Sequence, residues 1–180
     1  MWRWRRTSLG GEVDRAAFRA LHNASLASPA LREGLTSASA ERSVRHLRAL
    51  LGTPAAGLAD TSGLLAWDGL GGHHRPQLPP TIRQVAETGR TMIVDERTLV
   101  CDDGGCQVTQ AIVSPLVVDN TLVGALVVGA PLTTGGLVRA ADEVASWVSG
   151  QLELAELDAS RTRLMAVSYT HLTLPTNREV

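Results

Sequence analysis

Residues 111–130 read AIVSPLVVDNTLVGALVVGA, and the reading of this stretch decides the fold. It is the most apolar part of the chain, yet Ser114-Pro115 and Asp119-Asn120-Thr121 break it short of the ~18 uninterrupted apolar residues that a membrane span needs. What remains is a pair of runs of buried-strand length, Ala111–Val118 and Leu122–Val128, joined through Asp119-Asn120, a strong hairpin signal. Further upstream, Thr91–Asp95 predicts another strand. Ala55–Asp60 and Leu64–Asp68 predict a hairpin around Thr61-Ser62-Gly63.

Helical spacing flanks these strands. Ala16–Leu26 carries Ala17, Leu21 and Ala24 around one side, and Ser28-Pro29 is expected to stop it. Ser39–Leu51 gathers Val44, Leu47, Leu50 and Leu51 into a stripe with Arg42, Arg45 and Arg48 off it; Gly52-Thr53-Pro54 removes helical geometry and a donor. Thr81 is expected to cap a short helix, Ile82–Thr88, closed by Gly89. Gly69–Pro80 and Arg97–Gln107 read as loops, and Gly136 to about Leu164 as one long helix without proline. This order predicts an α+β layer fold, an antiparallel sheet with helices packed on one face.

Composition narrows the function classes. With 180 residues, 44% hydrophobic and 19% charged, the chain reads as a single globular domain rather than a disordered or collagen-like one. Its 17 basic and 18 acidic side chains leave a net charge of −1, which provides no field for a polyanion, so nucleic acid is not expected as a partner. Every cation is arginine, and with the abundance of Ala, Gly, Val and Leu this reads as coding bias rather than function. Two cysteines are too few for a secreted disulfide scaffold, so a cytoplasmic domain is expected.

The ends differ from the middle. Met1–Arg6 (MWRWRR) has the cations of a signal peptide without an apolar segment behind them. Residues 1–11 read either as the cytoplasmic flank of a membrane helix or as an arbitrary start at an internal Met. Residues 167–180 contain no Ala and no Gly and hold the sole Tyr, Tyr169. The stretch resembles the translated adapter of transposon-made sequencing libraries. It is read as a non-native tail, which makes the chain a fragment.

Several stretches carry a resemblance to a known family: Leu47–Ala55 (LRALLGTPA), Leu65–Gly69 (LAWDG), Gly72-His73-His74, Val100–Cys106 (VCDDGGC), Ser114–Val118 (SPLVV) and Val123–Leu126 (VGAL). Through them the segment from about Phe18 to Leu164 resembles a GAF domain, and more narrowly that of LytS-type sensor histidine kinases. The resemblance implies a GAF-like sensor domain over residues 12–157, with a signalling linker helix starting at 158–166. It also implies a parent with an upstream region anchored in the plasma membrane, a downstream phosphoacceptor helix, an ATP-binding domain and a response regulator as partner. Neither kinase part is in this sequence, so ATP belongs to the parent alone and no kinase activity is expected of this chain. His171 falls in the adapter-like tail and is not the phosphoacceptor.

The sharpest chemical constellation is His73, His74, Cys101 and Cys106. Imidazole and thiolate are the ligands zinc prefers, and a GAF topology puts both loops beside the pocket face of the sheet. His74, Cys101 and Cys106 are the metal candidates. Adjacent histidines are expected to diverge from one another, and the cysteine spacing is not a standard zinc knuckle. A reversible Cys101–Cys106 disulfide is a second reading, open to the chain if the Cα atoms come within ~7 Å; ordinary lid residues are a third. For a small polar or anionic ligand, Arg75 and Arg90 join the four as candidates. The scarcity of aromatic walls disfavours haem and bilin, and the absence of lysine removes the cyclic-nucleotide signature of some GAF domains.

No phosphate loop, dinucleotide fingerprint or nucleophile elbow is present, so no catalytic residue is assigned. On the long helix, Val144, Val148, Leu152 and Ala155 are expected to lie on the sheet. Trp147, Leu154, Leu157 and Leu164 form a second seam of heptad-like spacing, expected to pair with a second copy in a homodimer. The expected function is a ligand-sensing regulatory domain that relays pocket occupancy through this helix. The alternative is a stand-alone GAF-type redox enzyme, resembling free methionine sulfoxide reductase, or a metal or redox sensor using Cys101 and Cys106.

Overall fold

The computed structural model describes residues 11–170, with side chains to Met165; the expectations for residues 1–10 and for the tail beyond residue 170 lie outside it. In chain order the elements are α1 (Glu12–Leu31), α2 (Ser37–Leu51), β1 (Ala55–Asp60), β2 (Leu64–Gly69), a 3-10 turn (Gly72–Gln77), α3 (Pro79–Thr88), β3 (Met92–Val94), β4 (Gln110–Val118), β5 (Thr121–Ala130) and α4 (Gly135–Thr170). The strands form one antiparallel sheet in the order β2-β1-β5-β4-β3. No described helix is long and apolar enough to cross a membrane.

The β4–β5 hairpin is the centre of this sheet. Asp119 (φ 47°) and Asn120 (φ 60°) both take the left-handed backbone, the turn geometry whose twist matches flanking strands and which short polar side chains tolerate. Alternate residues of β4 serve opposite faces: Ile112 and Leu116 enter one core, Ala111 and Val113 the other. Burial on both faces explains why the run is continuously apolar. Pro115 falls beyond the β3 pairing, which ends at Val113, where one edge of β4 is open and a missing N–H is tolerated.

Three long helices cover one face. Leu31 of α1, Val44 and Leu47 of α2, and Val148 and Leu152 of α4 pack there against Leu58, Ile112, Leu116, Leu126 and Val128. The short α3 and the loops at both its ends cover the other, where Leu78, Ile82, Val85, Leu99 and Val108 bury Val113 and Val127.

Two helix ends differ from expectation. α1 runs through Pro29 to Leu31, because one lost backbone bond in the last turn is offset by burying Ala27, Ala30 and Leu31. α3 begins at Pro79 with no side-chain cap, so Thr81 does not cap it; proline in a first turn costs no backbone bond. Its end follows expectation, with Gly89 left-handed at φ 63°. α2 starts at a reciprocal capping box between Thr36 and Ser39.

Candidate functional site

The chain leaves β2 through two left-handed glycines. Gly69 (φ 100°) would put a Cβ 2.1 Å from the Pro54 carbonyl oxygen, and Gly71 (φ 66°) would put one 2.7 Å from the Val108 side chain. Only glycine fits either place, and together they fold the chain into the 3-10 turn carrying His73 and His74. The His74 N–H closes that turn on the Gly71 carbonyl at 2.9 Å. Leu78 then sinks into the α3-side core and anchors the far end.

A second loop meets this turn from the other side. Asp95 starts it by accepting hydrogen bonds from the backbone N–H groups of Arg97 and Thr98 and from the Thr98 hydroxyl. Buried Leu99 and Val108 pin its two limbs to the core. Between them Asp103 turns the chain, its carboxylate accepting from the Gly105 N–H and its carbonyl from the Cys106 N–H. Cys101 and Cys106 thereby face the histidine turn.

The four side chains converge. Their ligand atoms all lie within 4.8 Å of one another. Cys106 Sγ is 3.4 Å from His74 Nε2 and 3.7 Å from His73 Nε2. The histidines therefore do not diverge as expected: Nε2 is the distal ring atom, and two rings splayed at their bases tip together, centroids 4.2 Å apart and planes 45° apart. His74 is fully buried and His73 exposed, with both cysteines between these extremes.

Gln77 is a part of the site that pattern reading missed. On a 3-10 turn residues three apart eclipse, which puts Gln77 directly over His74. Its amide nitrogen donates to the Val100 carbonyl at 2.6 Å, so its amide oxygen faces His74 Nδ1 at 3.0 Å. A carbonyl can only accept, so His74 donates from Nδ1, and the neutral ring in that tautomer turns its Nε2 lone pair toward Cys106. The i, i+3 spacing was the available signal.

Burial pushes the Cys106 thiol above its ordinary range, and Cys101 and Asp103 push it the same way, opposed by hydrogen bonding to the Val108 backbone. Such a thiol is a poor resting nucleophile. Arg75, on the same 3-10 turn, and Arg90, just beyond α3, are both exposed. The sheet face beneath the cluster is packed with hydrocarbon from Leu78, Ile82, Val85, Val108, Val113 and Val127.

Comparison with known proteins gives the family context. The model of the GAF domain family matches residues 36–157. Sensor protein LytS of Bacillus anthracis is 32% identical over 139 residues, 72% of this chain and 23% of that protein. Sensor protein LytS of Streptococcus agalactiae serotype V is 34% identical over 103 residues, 54% of this chain and 18% of that protein. The chain thus spans about a fifth of the length of the curated relatives it matches. Among solved structures, the phycocyanobilin-bound GAF domain of a cyanobacterial phytochrome superposes with a TM-score of 0.54 at 15% identity, over 77% of this chain and 96% of that one. Free methionine-R-sulfoxide reductase from Neisseria meningitidis, solved with its substrate, gives 0.54 at 16% identity, over 81% and 94%. At these identities the likeness is one of fold.

Proposed function

The chain belongs to the GAF domain family, and from that premise we propose that it is the sensory module of a LytS-like sensor histidine kinase, reading its input at the His/Cys lid and delivering it through α4. The observation that carries this reading is the double life of α4. Ala141, Ala145, Val148 and Leu152 bury one stripe of it in the core between the long helices and the sheet, whereas every residue from Glu156 to Met165 is exposed. One rigid element is therefore both part of the domain and a rod leaving it.

Polar contacts tie the rod to the strands that lead toward the lid. Asp142 accepts hydrogen bonds from the hydroxyls of Thr91 and Ser114, at 2.5 and 2.8 Å. Ser149 Oγ accepts the Val117 N–H at 3.0 Å. A groove of about 280 Å³ beside Asp142 and Ser149 gives α4 room to shift. A signalling element needs two packings of similar energy, and few direct bonds beside open space favour that. In this reading the parent supplies the membrane anchor, the ATP site and the response regulator, and the rod pairs with a second copy.

The lid sits over packed hydrocarbon, which favours an input small enough to sit at the cluster itself. The same packing and the raised thiol disfavour a methionine sulfoxide reductase-like enzyme. The test is a chimera in which this chain replaces the matching segment of a LytS kinase. Inserting one residue after Glu156 rotates the rod by about 100° and should change autophosphorylation at least several-fold, while inserting seven, close to two turns, should restore it. Equal activity in all three proteins would refute the relay.

A further inference from the structure

The geometry points to a zinc site closed by four protein ligands, Cys101 Sγ, Cys106 Sγ, His73 Nε2 and His74 Nε2, with Gln77 as its outer-sphere support; the inference deepens the proposed sensory reading by naming its input.

The observations converge from separate directions. Zinc–sulfur bonds of about 2.3 Å and zinc–nitrogen bonds of about 2.0–2.1 Å at a tetrahedral centre require sulfur–nitrogen edges of about 3.5–3.6 Å. The edges from Cys106 to the two histidines are 3.4 and 3.7 Å, on either side of that value. All ligand atoms fall within 4.8 Å, so closing the remaining edges asks for at most about an ångström of movement. The loop carrying both cysteines holds Gly104-Gly105 between them, which can supply it.

The second argument concerns the proton on His74. A zinc-bound imidazole commonly donates its other N–H to an oxygen that fixes tautomer and ring plane. Gln77 does this here at 3.0 Å and is itself fixed by the Val100 carbonyl. A fully buried imidazole, held in one tautomer with its lone pair facing a thiol, is built for a Lewis acid at that point. On binding, both thiols lose their protons to solvent, and the two thiolates neutralise the dication.

Zinc would bridge the turn after β2 to the loop before β4. Those limbs share the α3-side core through Leu78, Leu99 and Val108, so occupancy would stiffen the lid and bias β4, which α4 grips through Ser114 and Val117.

The test uses the whole chain, reduced and stripped of metal with a chelator, then titrated with cobalt(II) alone and with zinc(II) in competition with a chromophoric chelator. One equivalent of cobalt should give the intense d–d absorption of a tetrahedral centre together with thiolate-to-metal charge transfer. Cys101→Ser and Cys106→Ser should each abolish the charge-transfer band or halve it with loss of tight zinc binding. Gln77→Ala should weaken zinc 10- to 100-fold without changing stoichiometry. Circular dichroism of each apo variant separates a lost site from a lost fold, and His73→Asn serves as a second, exposed probe. Weak octahedral cobalt absorption indifferent to the cysteine substitutions would overturn the proposal, as would a reduced chain that binds no zinc. Those outcomes would leave the helix-phase experiment untouched, so the input and the relay fail separately.

Discussion

Single positions in the lid do more than fill space. Gly71 stands in left-handed backbone with Val108 where its side chain would be, so Gly71→Ala combines a strained φ with a clash. It should cost about 1–3 kcal/mol in denaturant unfolding and weaken metal binding, whereas alanine at Gly104, with open space around it, should change stability little. Asp60 illustrates a different effect. Partial burial would raise its pKa, but hydrogen bonds from the Ser62 hydroxyl and from the Ser62 and Gly63 N–H groups prevail and hold the carboxyl below its ordinary value. Because the folded pKa is the lower one, those bonds contribute stability above the unfolded value, and the contribution is lost as pH falls through the folded value. Stability measured by urea denaturation from pH 7 to 3 should therefore fall below about pH 4, and Asp60→Asn should flatten that slope.

The elements were legible in proportion to how local their causes are. The β4–β5 hairpin, the β1–β2 hairpin and the glycine at the end of α3 were all readable, because alternation, turn residues and a left-handed cap act within a few residues. The far end of α1 was not: whether a helix passes Pro29 depends on Leu31 finding a core supplied by other elements. The convergence of His73 with His74 was hidden for the same reason, since it depends on a 3-10 turn that Gly71 and Leu78 fix from outside. Packing at this scale gives its own prediction. Ile82 is buried against the sheet from the middle of α3, so Ile82→Ala should destabilise the domain by about 2–5 kcal/mol, read as a lower denaturant midpoint. Thr36→Ala removes one half of the capping box of α2 and should cost about 1 kcal/mol by the same measurement.

The whole molecule presents apolar side chains along its helical back. Phe18 and Leu21 of α1 are 71% and 72% exposed, and Leu157 and Leu164 of α4 are 59% and 74% exposed. Trp147, by contrast, is half-buried and packs against the core, whereas Leu154 is 42% exposed. Leu157→Glu combined with Leu164→Glu should shift the chain toward monomer in sedimentation equilibrium while leaving its melting transition in place; an unchanged mass distribution would remove the paired-rod reading. The length of α4 past its last buried residue has a mechanical consequence. From Ala155 to Ala166, the last residue before the adapter-like tail, the helix extends about 16 Å, so pivoting by about five degrees where it quits the sheet sweeps its end through roughly 1.4 Å. A few degrees of tilt would then arrive downstream as a displacement within the one-to-two-ångström helix shifts by which switching proteins change state.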